Sequence, residues 1–181
     1  MTLALAMLSV AAAPAPDARR LVRQLNAALL ARASASAVLQ HWCAQRRLAN
    51  PPVIVARRVA GADKPADMRV RRLLHAAPGE PIGYRRVALA CGRHVLSVAD
   101  NWYRPDELTP AMNAELAATD HPFGIVVQSL RFHRVRLAAR VLNGPHRDGV
   151  IRQRAVLETP GGTPFSYVVE TYTAAVLDEG P

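Results

Sequence analysis

The sequence predicts a single α+β domain built on an antiparallel sheet. It has 181 residues, half of them apolar, which suffices for one hydrophobic core but not comfortably for two. Two predicted helices come first, and strands, another helix and further strands follow. This order lacks the strand–helix–strand alternation of a parallel sheet, and two tight turns between strands favour antiparallel hairpins.

The helices are predicted from apolar residues at helical spacing and from residues that favour helix ends. Asp17 and either Ser34 or Ser36 are suited to cap the first two helices, and Pro110 follows the capping residue Thr109. The predicted helices are residues 17–33, a segment from Ser34 or Ser36 to the Asn50-Pro51-Pro52 stop, residues 109–118, and a short helix or turn at 122–130.

The strands are predicted from β-branched and alternating residues bounded by glycine and proline. The Gly92-Arg93 corner and the Pro-Gly-Gly turn at 160–162 mark the two hairpins. Residues 68–74 alternate weakly, which predicts an edge strand. The predicted strands are residues 53–56, 68–74, 82–91, 94–99, 132–142, 150–158 and 165–177.

The formal net charge is +9 and, apart from Lys64, every basic side chain is an arginine. Such a charge suits anionic partners. The arginines are scattered in pairs, however, and the sequence has no motif that reads nucleic acid. We therefore expect a basic, solvated surface, no nucleic-acid partner and a monomer. No apolar run reaches the roughly eighteen residues of a membrane span.

The first residues of the chain are relevant to the cellular compartment in which the protein is located. Residues 3–13 form an apolar stretch of the length found in signal peptides, with small residues suited to cleavage, but no lysine or arginine precedes it. Residues 1–16 are interpreted as a signal peptide or a flexible leader, and residues 17–181 as the domain. We expect a periplasmic protein if the leader is a signal peptide, and a cytoplasmic one otherwise.

The metal-binding and redox residues form no recognisable motif. Cys43 and Cys91 fit neither a zinc site nor a CxxC motif. In the cytosol they would be buried thiols, and in an oxidising compartment they would pair if their helix and strand are adjacent. The six histidines form no cluster, and no glycine-rich phosphate loop is present. We therefore expect neither a metal nor another cofactor.

One arginine stands out because of its neighbours. Side chains alternate along a strand, so Arg85 shares a face with the apolar residues Val87, Leu89 and Cys91. That face is predicted to point into the core. A buried guanidinium needs an acid to balance its charge, and its flat fork suits a carboxylate. The acid is either a side chain or a bound ligand.

Glu170 is the matching acid in the last predicted strand. It is the only ionisable carboxylate between Thr159 and Leu177, and apolar and aromatic residues surround it. Such a glutamate is either buried with a partner or faces a ligand. Burial would raise its pKa, and a nearby Arg85 would lower it. From periodicity alone, a structural Arg85–Glu170 ion pair and a ligand site are equally good interpretations.

Several segments, taken in order, resemble the chorismate lyase (chorismate pyruvate-lyase) family. The resemblance covers roughly residues 34–177, and it depends on the order of the segments because no single motif is diagnostic. The segments are residues 83–87 (GYRRV), 91–96 (CGRHVL), 101–105 (NWYRP), 108–110 (LTP), 119–124 (TDHPFG), 152–157 (RQRAVL) and 163–170 (TPFSYVVE).

The resemblance implies a fold, a reaction and four site residues. The family has one six-stranded antiparallel sheet with helices packed on one side, and it splits chorismate into 4-hydroxybenzoate and pyruvate without a cofactor. Arg85 matches the arginine that binds the ring carboxylate, and Glu170 matches the glutamate at the far end of the ring. Phe123 matches a pocket residue that is usually smaller, and Val38 matches a position whose backbone meets a carboxylate.

These implications lead to three hypotheses of different classes. The first is a chorismate lyase in which Glu170 assists proton movement. The second is a non-catalytic binding protein, periplasmic if the leader is cleaved, for a small aromatic carboxylate. The third is a bare scaffold in which Arg85 and Glu170 pair with each other.

Overall fold

The structure is a computed structural model, and it describes residues 16–142 and 149–180. Its helices are α1 (Pro16–Ala31), α2 (Ala35–Gln45), α3 (Met68–Leu73), α4 (Pro110–Ala118) and α5 (Phe123–Val126). Its strands are β1 (Ile54–Arg58), β2 (Gly83–Cys91), β3 (His94–Tyr103), β4 (His133–Val141), β5 (Ile151–Glu158) and β6 (Pro164–Tyr172).

The six strands form one antiparallel sheet in the order β1-β2-β3-β6-β5-β4. The β2–β3 and β5–β6 hairpins meet at the centre of the sheet, where β3 pairs with β6. Gly92 and Gly162 have positive φ angles of 56° and 82° in the two hairpin turns, a conformation that glycine adopts most easily. The predicted α+β class and the single six-stranded antiparallel sheet are confirmed.

Local capping explains where the confirmed helices begin. The Ser34 side chain accepts a hydrogen bond from the Ala37 amide at 3.2 Å, which starts α2. The Thr109 hydroxyl accepts from the Met112 amide at 3.2 Å, and Pro110 takes the first position of α4. Each cap satisfies a backbone amide that has no partner inside its helix.

The prediction of an edge strand at residues 68–74 is wrong, because this segment forms α3. The Asp67 carboxylate accepts a hydrogen bond from the Val70 amide at 2.7 Å and caps the helix. Val70 and Leu74 are both buried whereas Arg72 between them is exposed, which fits a helix and not a strand, in which all three would share a face. The predicted strand 165–177 is also too long, because β6 ends at Tyr172 and a 3₁₀ turn follows.

Helices cover both faces of the sheet, although unequally. On one face, α1 and α2 pack over Val87 and its neighbours, and α4 and α5 pack over Leu157. On the other face, Val70 of α3 and Leu74, which directly follows the helix, pack against Trp102. The expectation that the helices lie on one side therefore fails for α3, since the aromatic side chains on the second face need apolar cover.

A disulfide ties the helical layer to the sheet. Cys43 of α2 and Cys91 of β2 are bonded, with their Cα atoms 6.0 Å apart, so the helix and the strand are adjacent as pairing required. The bond spans 48 residues. Closing a loop of that length removes about 4 kcal/mol of conformational entropy from the unfolded chain. The cross-link fixes α2 against the strand that carries Arg85.

The predicted leader lies outside the described residues, apart from Pro16, which opens α1. Within residues 16–142 and 149–180, no helix combines the length and the apolar character required to cross a membrane.

Candidate functional site

A cavity opens between the sheet and the α2–α5 region, and it contains two of the predicted site residues. Arg85 and Glu170 both line it, together with the polar residues Asn101 and Arg134. All four side chains project from the same face of the sheet, since the strand register places them on matching positions. The rest of the wall is mostly apolar, and it includes Val87, Leu89, Phe132, Leu157 and Val168.

The Arg85 guanidinium is buried without a partner. The residue is 5% exposed, and neither Nε nor Nη2 has a hydrogen-bond acceptor among the described residues. Burial lowers the pKa of Arg85 and the positive charge of Arg58 lowers it further, while Tyr103 and Asp120 act in the opposite direction. A buried cation with free donors is costly, and an anionic group that reached these donors would reduce that cost.

Asn101 supplies a further polar group beside Arg85. The two residues are direct partners across β2 and β3, so their side chains are neighbours on one face. The Ser166 hydroxyl donates to Asn101 Oδ1 at 2.6 Å, which fixes the amide. Asn101 Nδ2 is buried and has no acceptor within the described part of the chain. Arg85 and Asn101 thus form a cluster of unused donors at one end of the cavity.

The opposite end of the cavity is an ion pair. Arg134 of β4 donates through Nη2 to the Glu170 carboxylate, and the two side chains are only 4% and 8% exposed. Burial alone would lower the pKa of Arg134, but the charges of Glu170 and Tyr172 and the hydrogen bond to Glu170 together outweigh it and raise that pKa. Burial and the Glu170 charge also raise the pKa of the fully buried Tyr172 hydroxyl well above its usual value.

Arg85 and Glu170 do not form the direct ion pair that the sequence left open. Arg85 is opposite Asn101, and Glu170 is opposite Ala99, so strand β3 lies between them. Ordinary strand spacing and rise place their Cα atoms about 12 Å apart. Glu170 has taken Arg134 as its partner instead. The two side chains therefore face the cavity from different strands and leave space between them.

The two remaining predicted site residues have different positions. Phe123 lines the cavity from α5 and stacks at 6.4 Å from Phe165, measured between ring centroids. Val38 does not line this cavity; it is buried in the core between α1, α2 and the sheet. Its backbone amide donates to Ser34 at 3.2 Å inside the helical turn, so it is not available to a carboxylate.

The helix N-terminus meets the cavity one turn earlier than the resemblance implied. Ser34, Ala35 and Ser36 line the cavity in place of Val38. Gly124 of α5 packs here, since a Cβ atom on it would lie 3.0 Å from the Ser34 hydroxyl oxygen. The absence of a side chain at Gly124 lets α5 approach the start of α2 and narrow the mouth of the cavity.

Sequence reasoning missed Arg134 and Asn101. Arg134 is one of many arginines that were assigned to a solvated surface, and only the pairing of β4 with β5 reveals that it shares a face with Leu157. Asn101 lies beyond the predicted strand 94–99, and only the register shift between Leu89 and Ala90 puts it, and not Asp100, opposite Arg85. In the described ranges, no group of three or more His, Cys, Asp or Glu side chains is placed to hold a metal ion.

Comparison with known proteins identifies a relative in sequence. The uncharacterized protein y4mC of Sinorhizobium fredii is 46% identical over an alignment of 183 positions, which covers 90% of this chain and 77% of the relative. This chain belongs to the y4mC family. No protein-family model matches the sequence.

Solved structures show that the y4mC family chain shares a fold with ligand-binding domains. The effector domain of PhnF from Mycobacterium smegmatis matches with a TM-score of 0.52 at 12% identity, covering 73% of this chain and 87% of that domain. A second PhnF structure from that organism matches with a TM-score of 0.53 at 11% identity, covering 68% of this chain and 60% of the other. At these identities the likeness shows the fold alone, which is chorismate lyase-like.

Proposed function

We propose that this protein binds a small aromatic carboxylate in the cavity, with the carboxylate on Arg85. The observation that carries the proposal is the buried Arg85 guanidinium, whose Nε and Nη2 have no acceptor among the described residues. A ligand carboxylate would supply two acceptor oxygens in the geometry that a guanidinium fork matches. Asn101 Nδ2, beside Arg85, is a further donor for the same anion.

The remainder of the cavity supports an aromatic body for the ligand. Apolar and aromatic side chains, including Val87, Phe123 and Val168, form the walls between its polar ends. A mostly apolar lining with a few fixed polar groups is typical of small-molecule sites. The cavity itself encloses only about 40 Å³, so an aromatic ring must displace wall side chains as it binds. The shared fold with a domain named as the effector domain of PhnF also supports ligand binding.

Binding of benzoate and 4-hydroxybenzoate, measured by calorimetry, tests the proposal. The wild-type protein should bind both, and Arg85→Met should lose at least about 30-fold in affinity, because truncating one partner of a buried charge pair costs 2–5 kcal/mol. Arg86→Met is the matched control. It removes the same charge from the next residue, which is exposed and pairs with Asp100 on the other face. Equal affinities in the two variants would refute the assignment.

The second candidate function is the cleavage of chorismate to 4-hydroxybenzoate and pyruvate. The observation that favours it is the presence of Glu170 in the same cavity as Arg85. Glu170 already accepts a hydrogen bond from Arg134 Nη2. Its role in such a reaction would be to accept a proton or a hydrogen bond from the ring.

Incubation with chorismate distinguishes the two candidates. A lyase would release 4-hydroxybenzoate and pyruvate in equal amounts, and Glu170→Gln would abolish turnover. A binding protein would bind 4-hydroxybenzoate and release no pyruvate from chorismate. The Arg85→Met variant should be inactive in both assays, whereas Arg86→Met should behave as the wild type does.

A further inference from the structure

The cavity has an unequal set of charges. Its charged lining residues, within the described part of the chain, are Arg85, Arg134 and Glu170. Arg134 and Glu170 neutralise each other in a buried ion pair, so the cavity carries one uncompensated positive charge, on Arg85. A single negative charge on the ligand balances it, and a second would have no free cation to meet.

We infer that Arg134 determines specificity by occupying Glu170 and so restricting the cavity to monocarboxylates. The inference rests on the proposed function, and it names the ligand class: an aromatic monocarboxylate with a hydrogen-bond donor at the end opposite its carboxylate. Chorismate carries two carboxylates, so the inference opposes the second candidate function. Glu170 keeps unused lone pairs, since a carboxylate can accept about four hydrogen bonds. A ligand hydroxyl or amino group would donate to them.

A second carboxylate would face an unfavourable site. It would approach the ionised Glu170 in a largely dry cavity, where like charges repel strongly. Arg134 offsets little of this repulsion, because its charge is already balanced by the Glu170 carboxylate, although its Nε has no acceptor among the described residues. If Glu170 loses its charge, however, Arg134 becomes a second free guanidinium. Without the Glu170 charge, Arg85 and Arg134 could therefore bind the two carboxylates of one ligand, and the Glu170 charge prevents this.

Replacing Glu170 with glutamine should reverse which of two ligands of similar shape binds with the higher affinity. We would measure the affinities of 4-hydroxybenzoate and terephthalate, the 1,4-dicarboxylate, for the 181-residue chain by calorimetry. The wild type should prefer 4-hydroxybenzoate by about 10- to 100-fold, the range for a hydrogen bond to a charged group. Glu170→Gln should reverse the order, so that terephthalate binds more tightly than it does to the wild type.

The double variant Arg134→Met/Glu170→Gln separates charge from shape. It removes the charge at this end without leaving an unpaired cation, so it also guards against poor folding of the single variant. It should bind benzoate and 4-hydroxybenzoate about equally and should not gain affinity for terephthalate. A double variant that gains terephthalate binding would overturn the role of Arg134.

The experiment distinguishes a failure of the proposed function from a failure of the inference about Arg134. If the wild type binds neither benzoate nor 4-hydroxybenzoate, the proposed function is wrong. If it binds both through Arg85, and Glu170→Gln leaves the preference against terephthalate unchanged, the inference about Arg134 is wrong and the proposed function stands.

Discussion

The two ends of the cavity contain the same side chain in opposite states. Arg85 and Arg134 are both buried arginines on one face of one sheet. Arg134 meets a carboxylate of the protein, whereas Nε and Nη2 of Arg85 meet no acceptor in the described residues. Arg134 therefore has a carboxylate partner within the folded chain, although its Nε has no acceptor among the described residues, whereas the partner of Arg85 would be the anionic ligand proposed above.

This difference shows that, within one site, Arg134 contributes to the stability of the fold, whereas Arg85 lowers stability and is proposed to contribute to ligand binding. A buried ion pair that has been built must be kept, because breaking it leaves an unpaired charge. A buried charge without a partner costs stability until its ligand binds. Substitutions at the two arginines should therefore act on the free energy of unfolding with opposite signs.

The largest effect is expected from Arg134→Met. It leaves the Glu170 carboxylate buried and unpaired, which should lower the free energy of unfolding by about 3–5 kcal/mol. Urea denaturation without ligand measures this, and Arg140→Met, at an exposed position of the same strand, should change it by less than about 0.5 kcal/mol. Adding Glu170→Gln to Arg134→Met should restore most of the loss. Similar stabilities of the Arg134 and Arg140 variants would contradict the ion-pair description.

The next largest effect is expected to be an increase in the free energy of unfolding. Arg85→Met replaces an unpartnered buried cation with an apolar side chain of similar length, and it should raise the free energy of unfolding by about 1–3 kcal/mol. The same denaturation assay, again without ligand, checks it against Arg86→Met, which loses only a partly exposed ion pair and should change by less than about 1 kcal/mol. A strong destabilisation by Arg85→Met would mean that Arg85 has a structural partner after all.

The Arg85 end was largely predictable from sequence, and the Arg134 end was not. Alternation within β2 is a local property, and it placed Arg85 on an apolar face before any pairing was known. The position of Arg134 depends on which β5 residue lies opposite it and on a register shift between Arg136 and Ala138. Such pairing depends on contacts between residues that are distant in sequence, so it cannot be predicted from the sequence of one strand.

The same distinction between local and distant information explains the other outcomes. The Ser34 and Thr109 caps and the β2–β3 hairpin involve neighbouring residues, and the sequence predicted them. The segment 68–74 was misassigned because arginines interrupt its apolar pattern, and its helical spacing becomes clear only when Trp102 covers Val70. The Val38 assignment came from the family resemblance alone, and a shift of about one helical turn removes it from the cavity.

A third, smaller effect concerns pH at the ion-pair end. Burial and the charge of Glu170 hold the pKa of Tyr172 well above its usual value, and Arg134 only partly offsets this. The neutral hydroxyl is thus favoured in the folded state, so its contribution to stability is complete below about pH 10 and is lost as the pH rises beyond that value. The wild type should lose about 1.4 kcal/mol per pH unit there from this group.

Tyr172→Phe isolates that contribution. Its hydroxyl has no hydrogen-bond partner among the described residues, so the substitution should change stability little at neutral pH. Above about pH 10 the phenylalanine variant should decline less steeply than the wild type in urea denaturation. Parallel curves for the two proteins would show that Tyr172 does not titrate differently in the folded and unfolded states.

The smallest stability effect is expected from Asn101→Asp. This substitution should give Arg85 a carboxylate partner within the protein, as Arg134 has in Glu170. The substitution keeps the side-chain shape and places a carboxylate opposite Arg85 across β2 and β3. Such a cross-strand pair should stabilise the protein by up to about 1 kcal/mol, measured by urea denaturation. Affinity for 4-hydroxybenzoate should fall at least about tenfold, because the new carboxylate occupies the donors that the ligand needs.

A double-mutant cycle with Arg85→Met tests whether the gain comes from this pair. In the Arg85→Met background, Asn101→Asp should destabilise the protein, because the buried carboxylate then has no cation to meet. A gain that persists without Arg85 would trace to the hydrogen bond from Ser166 and not to the guanidinium. A reversal of sign would show that the ligand's place is one that a carboxylate of the chain can fill, as Glu170 already does for Arg134.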